Sequence, residues 1–166
     1  MSCPIHEMRL ATILDAEAIH QLHSLSVRTL CACAYESEVI EVWLNGRSPD
    51  GYKGIETGEM NVLECDGVIA GFSHVVPGQI VAIFVHPNFA RRGIGSKLLQ
   101  HGIGIAQLKE NAPIKVEATL NAQAFYEKHG FVVTRHVLVQ KYNMPVVEMR
   151  LTSDTLTHPS SGLSGS

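Results

Sequence analysis

The sequence predicts a single mixed α/β domain in which helices flank one mostly antiparallel sheet. Apolar residues follow a helical period over residues 16–44 and a strand period over residues 60–85. Turn-forming pairs such as Asp66-Gly67 and Pro77-Gly78 separate the strand segments. The predicted order is strand, two helices, three strands, helix, strand, helix and two strands, and this order is typical of helices packed around one sheet.

The length and composition fit one such domain. The chain has 166 residues, of which 45% are hydrophobic and 17% are charged. This composition is typical of a globular protein that buries its own core. We assign residues 1–151 to the domain. Residues 152–166 are rich in Ser, Thr, Gly and Pro, and this composition predicts a disordered C-terminal tail.

The sequence of the N-terminal third predicts one strand, two helices and a loop. The strand covers residues 8–10, and Asp15 is expected to cap the first helix. Ser37 begins a second helix that ends before Asn45-Gly46. The segment 47–58 contains Pro and Gly and is expected to be a loop. The first helix carries an apolar stripe formed by Ile19, Leu22, Leu25 and Leu30.

The rest of the chain predicts six strands and two helices. Residues 60–65 and 68–76 are expected to pair as a hairpin, followed by strands at 79–85, 114–120, 131–139 and 146–151. A short helix is predicted at 122–128, and a longer one at 93–110 with Leu98, Leu99, Ile105 and Leu108 facing inward. Gly102 and Gly104 each disfavour that helix by about 1 kcal/mol relative to Ala. We therefore expect both glycines to mark a close approach to the sheet.

Charge and residue spacing argue against several classes of function. The formal net charge of −3 does not provide the dense basic face that binds nucleic acid, and no apolar run is long enough to span a membrane. Nine histidines and four cysteines occur without HExxH or CxxC spacing, so we expect no metal site. Cysteines without a disulfide pattern, and no signal-peptide pattern at the N-terminus, favour a cytoplasmic location.

The segment Arg91-Arg92-Gly93-Ile94-Gly95-Ser96 joins a predicted strand to a predicted helix. Glycines at a helix start allow backbone N–H groups to converge on an anion, and the helix dipole favours negative charge there. One interpretation is therefore a phosphate or pyrophosphate site; the other is a glycine pair that only turns the chain. A GxGxxG motif is disfavoured because Leu98 occupies the third glycine position, and a Walker loop because Gly-Lys-Ser/Thr is absent.

Two motifs in this order resemble those of the GCN5-related N-acetyltransferase (GNAT) superfamily. The segment 85–95, from Val85-His86-Pro87 to Gly95, resembles its coenzyme A loop, with Ala90 where many members have Gln or Arg. The segment 121–131, Asn-Ala-Gln-Ala-Phe-Tyr-Glu-Lys-His-Gly-Phe, resembles its later strand–helix–strand motif. The resemblance covers roughly residues 7–151.

This resemblance implies a fold, a cosubstrate and site residues. The sheet is expected to splay between its fourth and fifth strands, so that backbone groups of Ile83 and Val85 bind acetyl-CoA. Tyr126 is expected to be the general acid that protonates the departing thiolate. The acceptor is a small-molecule or peptide amine, homodimer formation is left open, and a non-catalytic acyl-CoA binding domain is the alternative. The residues expected to contact the coenzyme are Ile83, Phe84, Val85, Arg91, Arg92, Gly93, Ile94, Gly95, Ser96 and Asn121.

The sequence leaves the general base and the acceptor open. Glu64, His74 and Glu117 lie on predicted central strands, where each could draw a proton from the amine through water. Acceptor specificity is expected to come from residues 16–58. The polar and aromatic residues there that could contact an acceptor are His23, Arg28, Tyr35, Trp43 and Tyr52.

Overall fold

Seven strands form one sheet, and the helices pack against it. The computed structural model describes residues 4–109 and 112–152. The strands are β1 (His6–Leu10), β2 (Met60–Cys65), β3 (Val68–Val76), β4 (Gln79–Val85), β5 (Ile114–Thr119), β6 (Val132–Val139) and β7 (Met144–Leu151). They lie in the order β1-β2-β3-β4-β5-β7-β6, and every pairing is antiparallel except that of β4 with β5. The predicted fold class is confirmed.

Four helices cover the two faces of this sheet: α1 (Ala16–Leu30), α2 (Ser37–Leu44), α3 (Ile94–Ala106) and α4 (Gln123–Lys128). On one face, Ile19 of α1 packs with Val62 and Phe72, and α2 joins the same side through Trp43. On the other face, α3 and α4 pack over β4, β5 and β7. The alternation of side chains along each strand therefore supplies a separate core to each layer.

The sheet splays between β4 and β5, as expected. Their parallel pairing consists of Gln79 with Lys115 and Ile80 with Val116. On the other side of β4, Ile80 lies opposite Val75 but Ala82 lies opposite His74, so Val81 is an extra residue in the ladder. Such a β-bulge bends and twists its strand. The bulge coincides with the point at which β4 leaves β5, and it accounts for the gap between the two strands.

Helix α3 is shorter than predicted. It ends at Ala106, and Leu108 beyond its end is 72% exposed, so the inward position predicted for Leu108 is wrong. Of the two glycines, Gly102 does approach the sheet, because a Cβ atom there would lie 3.0 Å from Val75 Cγ2. The prediction for Gly104 is wrong, since a Cβ atom there would have no neighbour within 4 Å.

The start of α1 also differs from the prediction. A short 3₁₀ turn (Ile13–Asp15) precedes the helix, and the Asp15 side chain makes no capping bond to α1. Its carboxylate instead accepts hydrogen bonds from the Thr12 N–H at 2.7 Å and from the Arg9 guanidinium at 2.8 and 2.9 Å. Asp15 thus ties β1 to the helical layer. In the apolar stripe of α1, Ile19 and Leu22 are buried but Leu25 is 44% exposed.

The segment after α2 is ordered by two 3₁₀ turns, Pro49–Gly51 and Lys53–Ile55. Ile55 is buried, and Gly54 lies against the sheet, where a Cβ atom would be 2.9 Å from His74 Nε2. This segment therefore forms a wall over β3 and β4. The predicted tail lies outside the described residues apart from Thr152.

Candidate functional site

Backbone groups along the end of β4 lie open at the gap. The His86 N–H donates to the Ala70 carbonyl at 2.8 Å, and hydrogen-bonded pairs alternate along an antiparallel ladder. The backbone of Phe84 is therefore hydrogen-bonded to the backbone of Phe72 on β3. The backbone N–H and C=O groups of Ile83 and Val85 instead point toward β5. Because β5 has already diverged, these are the unpaired edge groups of β4. Any cofactor contact of Phe84 would come from its side chain.

The turn before α3 presents a row of backbone donors. Arg91 has φ 62° and Gly93 has φ 80°, whereas Arg92 between them has a negative φ, and such alternation turns successive N–H groups to one side. Gly93 adopts this conformation without the steric cost that a side chain would bring. Within the described part of the chain, the N–H groups of residues 91–96 donate no hydrogen bond to another protein group. The turn thus has the donors that an anion requires.

The side chains around this turn have different environments. The exposed Arg92 guanidinium stacks on the Phe89 ring at 5.6 Å, which orients it, and Arg91 is exposed. Ile94 is 1% exposed and packs with Leu98 in the core, so only its backbone can reach a ligand. Gly95 and Ser96 are partly exposed at the first turn of α3.

A narrow cleft of about 190 Å³ leads from this turn to the gap in the sheet. Gly95 and Phe125 line it near the turn, Cys31 of the α1 end lines one wall, and Asn121 another. Burial raises the pKa of the Cys31 thiol to about 11, so this wall is uncharged. Asn121 lies in a 3₁₀ turn (Leu120–Ala122) and makes no capping hydrogen bond to α4.

A wide cavity of about 440 Å³ lies beside the gap. The segment after α2 and the β6–β7 hairpin form its walls, and β3, β4 and β5 form its floor. Its aromatic lining consists of Trp43, Tyr52, Phe72, Phe84, Tyr126 and Tyr142. Its ionisable lining, apart from tyrosines, consists of Arg47, Lys53, His74 and Glu117.

The narrow cleft and the wide cavity meet at Tyr126. Residues that line both are Ile83, Phe84, Thr119, Ala122 and Tyr126. Tyr126 is 5% exposed, and its hydroxyl makes no hydrogen bond with the described residues. Burial raises the pKa of this hydroxyl well above its usual value, so it is protonated throughout the physiological range. A neutral hydroxyl with no protein partner is therefore available at the junction.

Two of the three residues considered as general base line the wide cavity. His74 Nε2 lies 2.9 Å from Glu59 Oε2, and Glu117 is exposed to the cavity from β5. Glu64 lies elsewhere, because its carboxylate accepts hydrogen bonds from Arg9 at 2.8 and 3.3 Å. The structure therefore removes Glu64 from consideration.

The residues considered for acceptor contact divide into two groups. Trp43 and Tyr52 line the wide cavity, and His23 lies behind them, 2.9 Å from the Tyr52 hydroxyl through Nδ1. Burial lowers the pKa of His23 to about 3 and raises that of Tyr52 to about 12, so this pair is neutral. Arg28 is instead a surface residue paired with Glu41.

Tyr35 also has a structural position. Its hydroxyl donates to the Pro145 carbonyl at 2.7 Å and accepts from the Leu120 N–H at 2.9 Å. It thereby connects the residue that follows β5 to the first residues of β7.

Sequence reasoning missed Arg47 and the cavity wall contributed by the β6–β7 hairpin. Arg47 donates to the Tyr142 hydroxyl at 3.4 Å across 95 positions of sequence. No local pattern predicts such a contact, because it depends on how β7 returns beside β5. Within residues 4–109 and 112–152, no group of three His, Cys, Asp or Glu side chains is arranged to hold a metal, and no helix is long and apolar enough to cross a membrane.

The chain matches the model of the acetyltransferase (GNAT) domain over residues 56–133. This match includes the gap, the turn before α3 and Tyr126. The chain is also 24% identical over 123 residues to the uncharacterized N-acetyltransferase YafP of Escherichia coli (strain K12), and the match covers 72% of this chain and 79% of YafP.

Solved structures share the fold. One is a GCN5-related N-acetyltransferase from Rhodopseudomonas palustris, with a TM-score of 0.79 and 24% identity over 92% of this chain and 97% of the other. Another is the PaiA N-acetyltransferase from Thermoplasma acidophilum in complex with coenzyme A, with a TM-score of 0.71 and 19% identity over 89% of this chain and 99% of the other.

Proposed function

Because the chain belongs to the GCN5-related N-acetyltransferase superfamily, we propose that this acyltransferase moves an acetyl group from acetyl-CoA directly to a primary amine. The observation that carries the proposal is the meeting of two cavities at one gap in the sheet. The narrow cleft would hold the donor thioester, and the wide cavity would hold the amine. Such an arrangement brings two reactants together without a covalent enzyme intermediate.

The turn before α3 would hold the pyrophosphate of the coenzyme. In the described residues, the six backbone N–H groups of residues 91–96 have no protein partner, and they lie at the start of α3. Together with the Arg91 and Arg92 guanidinium groups, they suit a group with two negative charges. Gly95 allows this group to approach the backbone closely. From here the pantetheine arm would follow the narrow cleft past Asn121 to the junction, where unpaired groups of Ile83 and Val85 complement its amides.

At the junction, an N–H group of the β4 edge would donate to the thioester carbonyl. A donor aimed at the oxygen where negative charge develops is typically worth about 3 kcal/mol of barrier. The amine nitrogen then forms a bond to the carbonyl carbon, and the carbon–sulfur bond breaks. Tyr126 would donate its hydroxyl proton to the departing thiolate, whose ordinary pKa is about 8.5.

The amine must lose a proton before or during attack, and His74 is the base that the geometry favours. Its imidazole lines the wide cavity, and Glu59 at 2.9 Å stabilises the imidazolium that would form. Glu117, on β5 beside the gap, is better suited to attract the ammonium form of the acceptor. A cytoplasmic setting belongs to this proposal; Cys31, Cys33 and Cys65 are unpaired thiols.

The test is a screen of amine acceptors with release of free coenzyme A thiol as the readout. Thiol release that depends on both acetyl-CoA and an amine would support acetyl transfer. Acetyl-CoA should also raise the melting temperature, while ATP and NAD should not. Stabilisation by acetyl-CoA without thiol release for any primary amine would favour a non-catalytic binding domain. Stabilisation by NAD and none by coenzyme A would contradict the coenzyme site itself.

A further inference from the structure

The wide cavity contains one cation without a carboxylate partner. Arg47 lies on its wall, and no Asp or Glu of the described residues forms an ion pair with it, although Arg9, Arg28, Arg135 and Arg150 are all paired. Lys53, the other cationic residue of the lining, lies 3.9 Å from Glu56. Arg47 is therefore the cavity cation that is available to a ligand.

The Arg47 guanidinium is held in place by neutral groups. Its Nε donates to the Trp43 carbonyl at 3.0 Å, and its Nη2 donates to the Tyr142 hydroxyl at 3.4 Å. Neither contact neutralises the charge, and Nη1 has no partner among the described residues. A guanidinium fixed by two anchors loses little freedom when it binds an anion, which suits it to recognise a carboxylate.

A carboxylate, that of Glu117, also lines this cavity. Glu117 is on β5 between Val116 and Ala118, next to the gap, and forms no ion pair with the described residues. The same cavity also has apolar lining, with Phe72, Val139 and Met144 among its members. The cavity thus has an unpaired carboxylate beside the gap and an unpaired guanidinium on the loop after α2, among the described residues.

From these two charges we propose that the acceptor is a zwitterionic amine, namely a free amino acid with an apolar side chain. Its ammonium group would lie beside Glu117 and its carboxylate on Arg47, while the side chain occupies the aromatic and aliphatic lining. This inference rests on the proposed function and names its substrate class. This inference predicts that plain alkylamines and amino-acid amides are poor acceptors, because each leaves the Arg47 charge without an anionic partner.

The decisive comparison uses L-phenylalanine and L-methionine against their carboxamides, with acetyl-CoA saturating. The carboxamides keep the amine and the side chain but lack the negative charge. For the wild type we expect kcat/KM to be about 10- to 100-fold higher for the amino acids, the scale of one charge-assisted contact. In Arg47→Met this ratio should fall to near 1, and in Arg47→Lys it should be intermediate. Glu117→Gln should raise KM for both compounds alike and leave the ratio unchanged.

The matched control is Arg28→Met, which makes the same change in charge outside the cavity and should leave the ratio as in the wild type. Equal use of amino acids and carboxamides by the wild type, or an undiminished ratio in a folded Arg47→Met variant, would overturn the inference while acetyl transfer itself stands. If no amine releases thiol, the proposed function fails, and calorimetric titration of L-phenylalanine in the presence of coenzyme A decides the inference separately. Binding that Arg47→Met abolishes supports it, and no binding to the wild type overturns it.

Discussion

Gly95 and Phe125 both line the narrow cleft, and a Cβ atom at Gly95 would be 3.4 Å from the Cζ atom of the Phe125 ring. Gly95 therefore leaves just enough room for one small atom, and it lies at the first turn of α3, where the backbone donors of residues 91–96 converge. A larger or charged side chain at this position would occupy the space that a phosphate group needs.

We expect Gly95→Asp to weaken acetyl-CoA binding by at least about tenfold, because a carboxylate there repels the pyrophosphate. Stability should change little, since a negative charge at a helix N-terminus is favourable. Isothermal titration of coenzyme A measures the effect. Gly104→Asp is the control, because it adds the same charge to the exposed part of the same helix. A dissociation constant equal to that of the wild type would move the pyrophosphate site elsewhere.

Gly102 and Gly104, both in the second half of α3, should respond differently to substitution by alanine. A Cβ at Gly104 meets nothing, so Gly104→Ala should stabilise the protein by about 0.5–1 kcal/mol through helix propensity. A Cβ at Gly102 would lie 3.0 Å from Val75 and 3.2 Å from Ile80, both buried, so Gly102→Ala should be less stable than Gly104→Ala by roughly 1 kcal/mol or more. Urea unfolding midpoints check both values. An equal increase in stability from both substitutions would show that Val75 and Ile80 move aside for a Cβ atom at Gly102 at little cost.

These glycines show how far the sequence could predict the structure. Local signals sufficed for the elements and for the turn before α3, because glycine spacing and apolar periodicity act within a few residues. They could not tell Gly102 from Gly104, since both break the helical pattern equally and only the tertiary position of α3 distinguishes them. The bulge at Val81 likewise has no local signature, because it is defined by the register of β4 against β3.

The part of the candidate site that lies within continuous motifs could be proposed from the sequence. The residues around Arg91–Ser96 and Tyr126 lie within two continuous segments, so their roles could be proposed from sequence. The wide cavity combines Arg47, His74 and Tyr142 from three distant segments, and its polarity depends on which charges find partners after folding. The proposal on acceptor specificity therefore required the structure.

Asp15 should make stability depend on pH. The Arg9 guanidinium holds the pKa of the Asp15 carboxyl below its ordinary value of 3.8. A lowered native pKa means that the stabilisation is complete above the unfolded pKa and is lost as the pH falls toward the native one. We expect Asp15→Asn to cost roughly 1–2 kcal/mol at pH 7, the scale of hydrogen bonds to a charged group, and less at pH 3.

Urea unfolding at pH 7 and pH 3 measures this difference. Asp50→Asn is the matched control, because Asp50 is exposed and makes no hydrogen bond or ion pair with the described residues. A constant difference between Asp15→Asn and the wild type at both pH values would show that the charge of Asp15 does not contribute to stability.

Tyr126→Phe tests the proposed general acid. The substitution keeps the buried ring and its packing on Phe131, and it removes a hydroxyl that has no partner among the described residues, so stability should change little. If the hydroxyl protonates the thiolate in the transition state, the turnover number should fall by roughly 10- to 1000-fold. The Michaelis constant for acetyl-CoA should change much less, because the proton is needed after binding.

The loss of turnover in Tyr126→Phe should be smaller with acyl donors whose thiols are more acidic, since their thiolates leave without a proton. An unchanged turnover number, with chemistry shown to be rate-limiting, would make solvent the acid and leave Tyr126 as a packing residue at the junction of the two cavities.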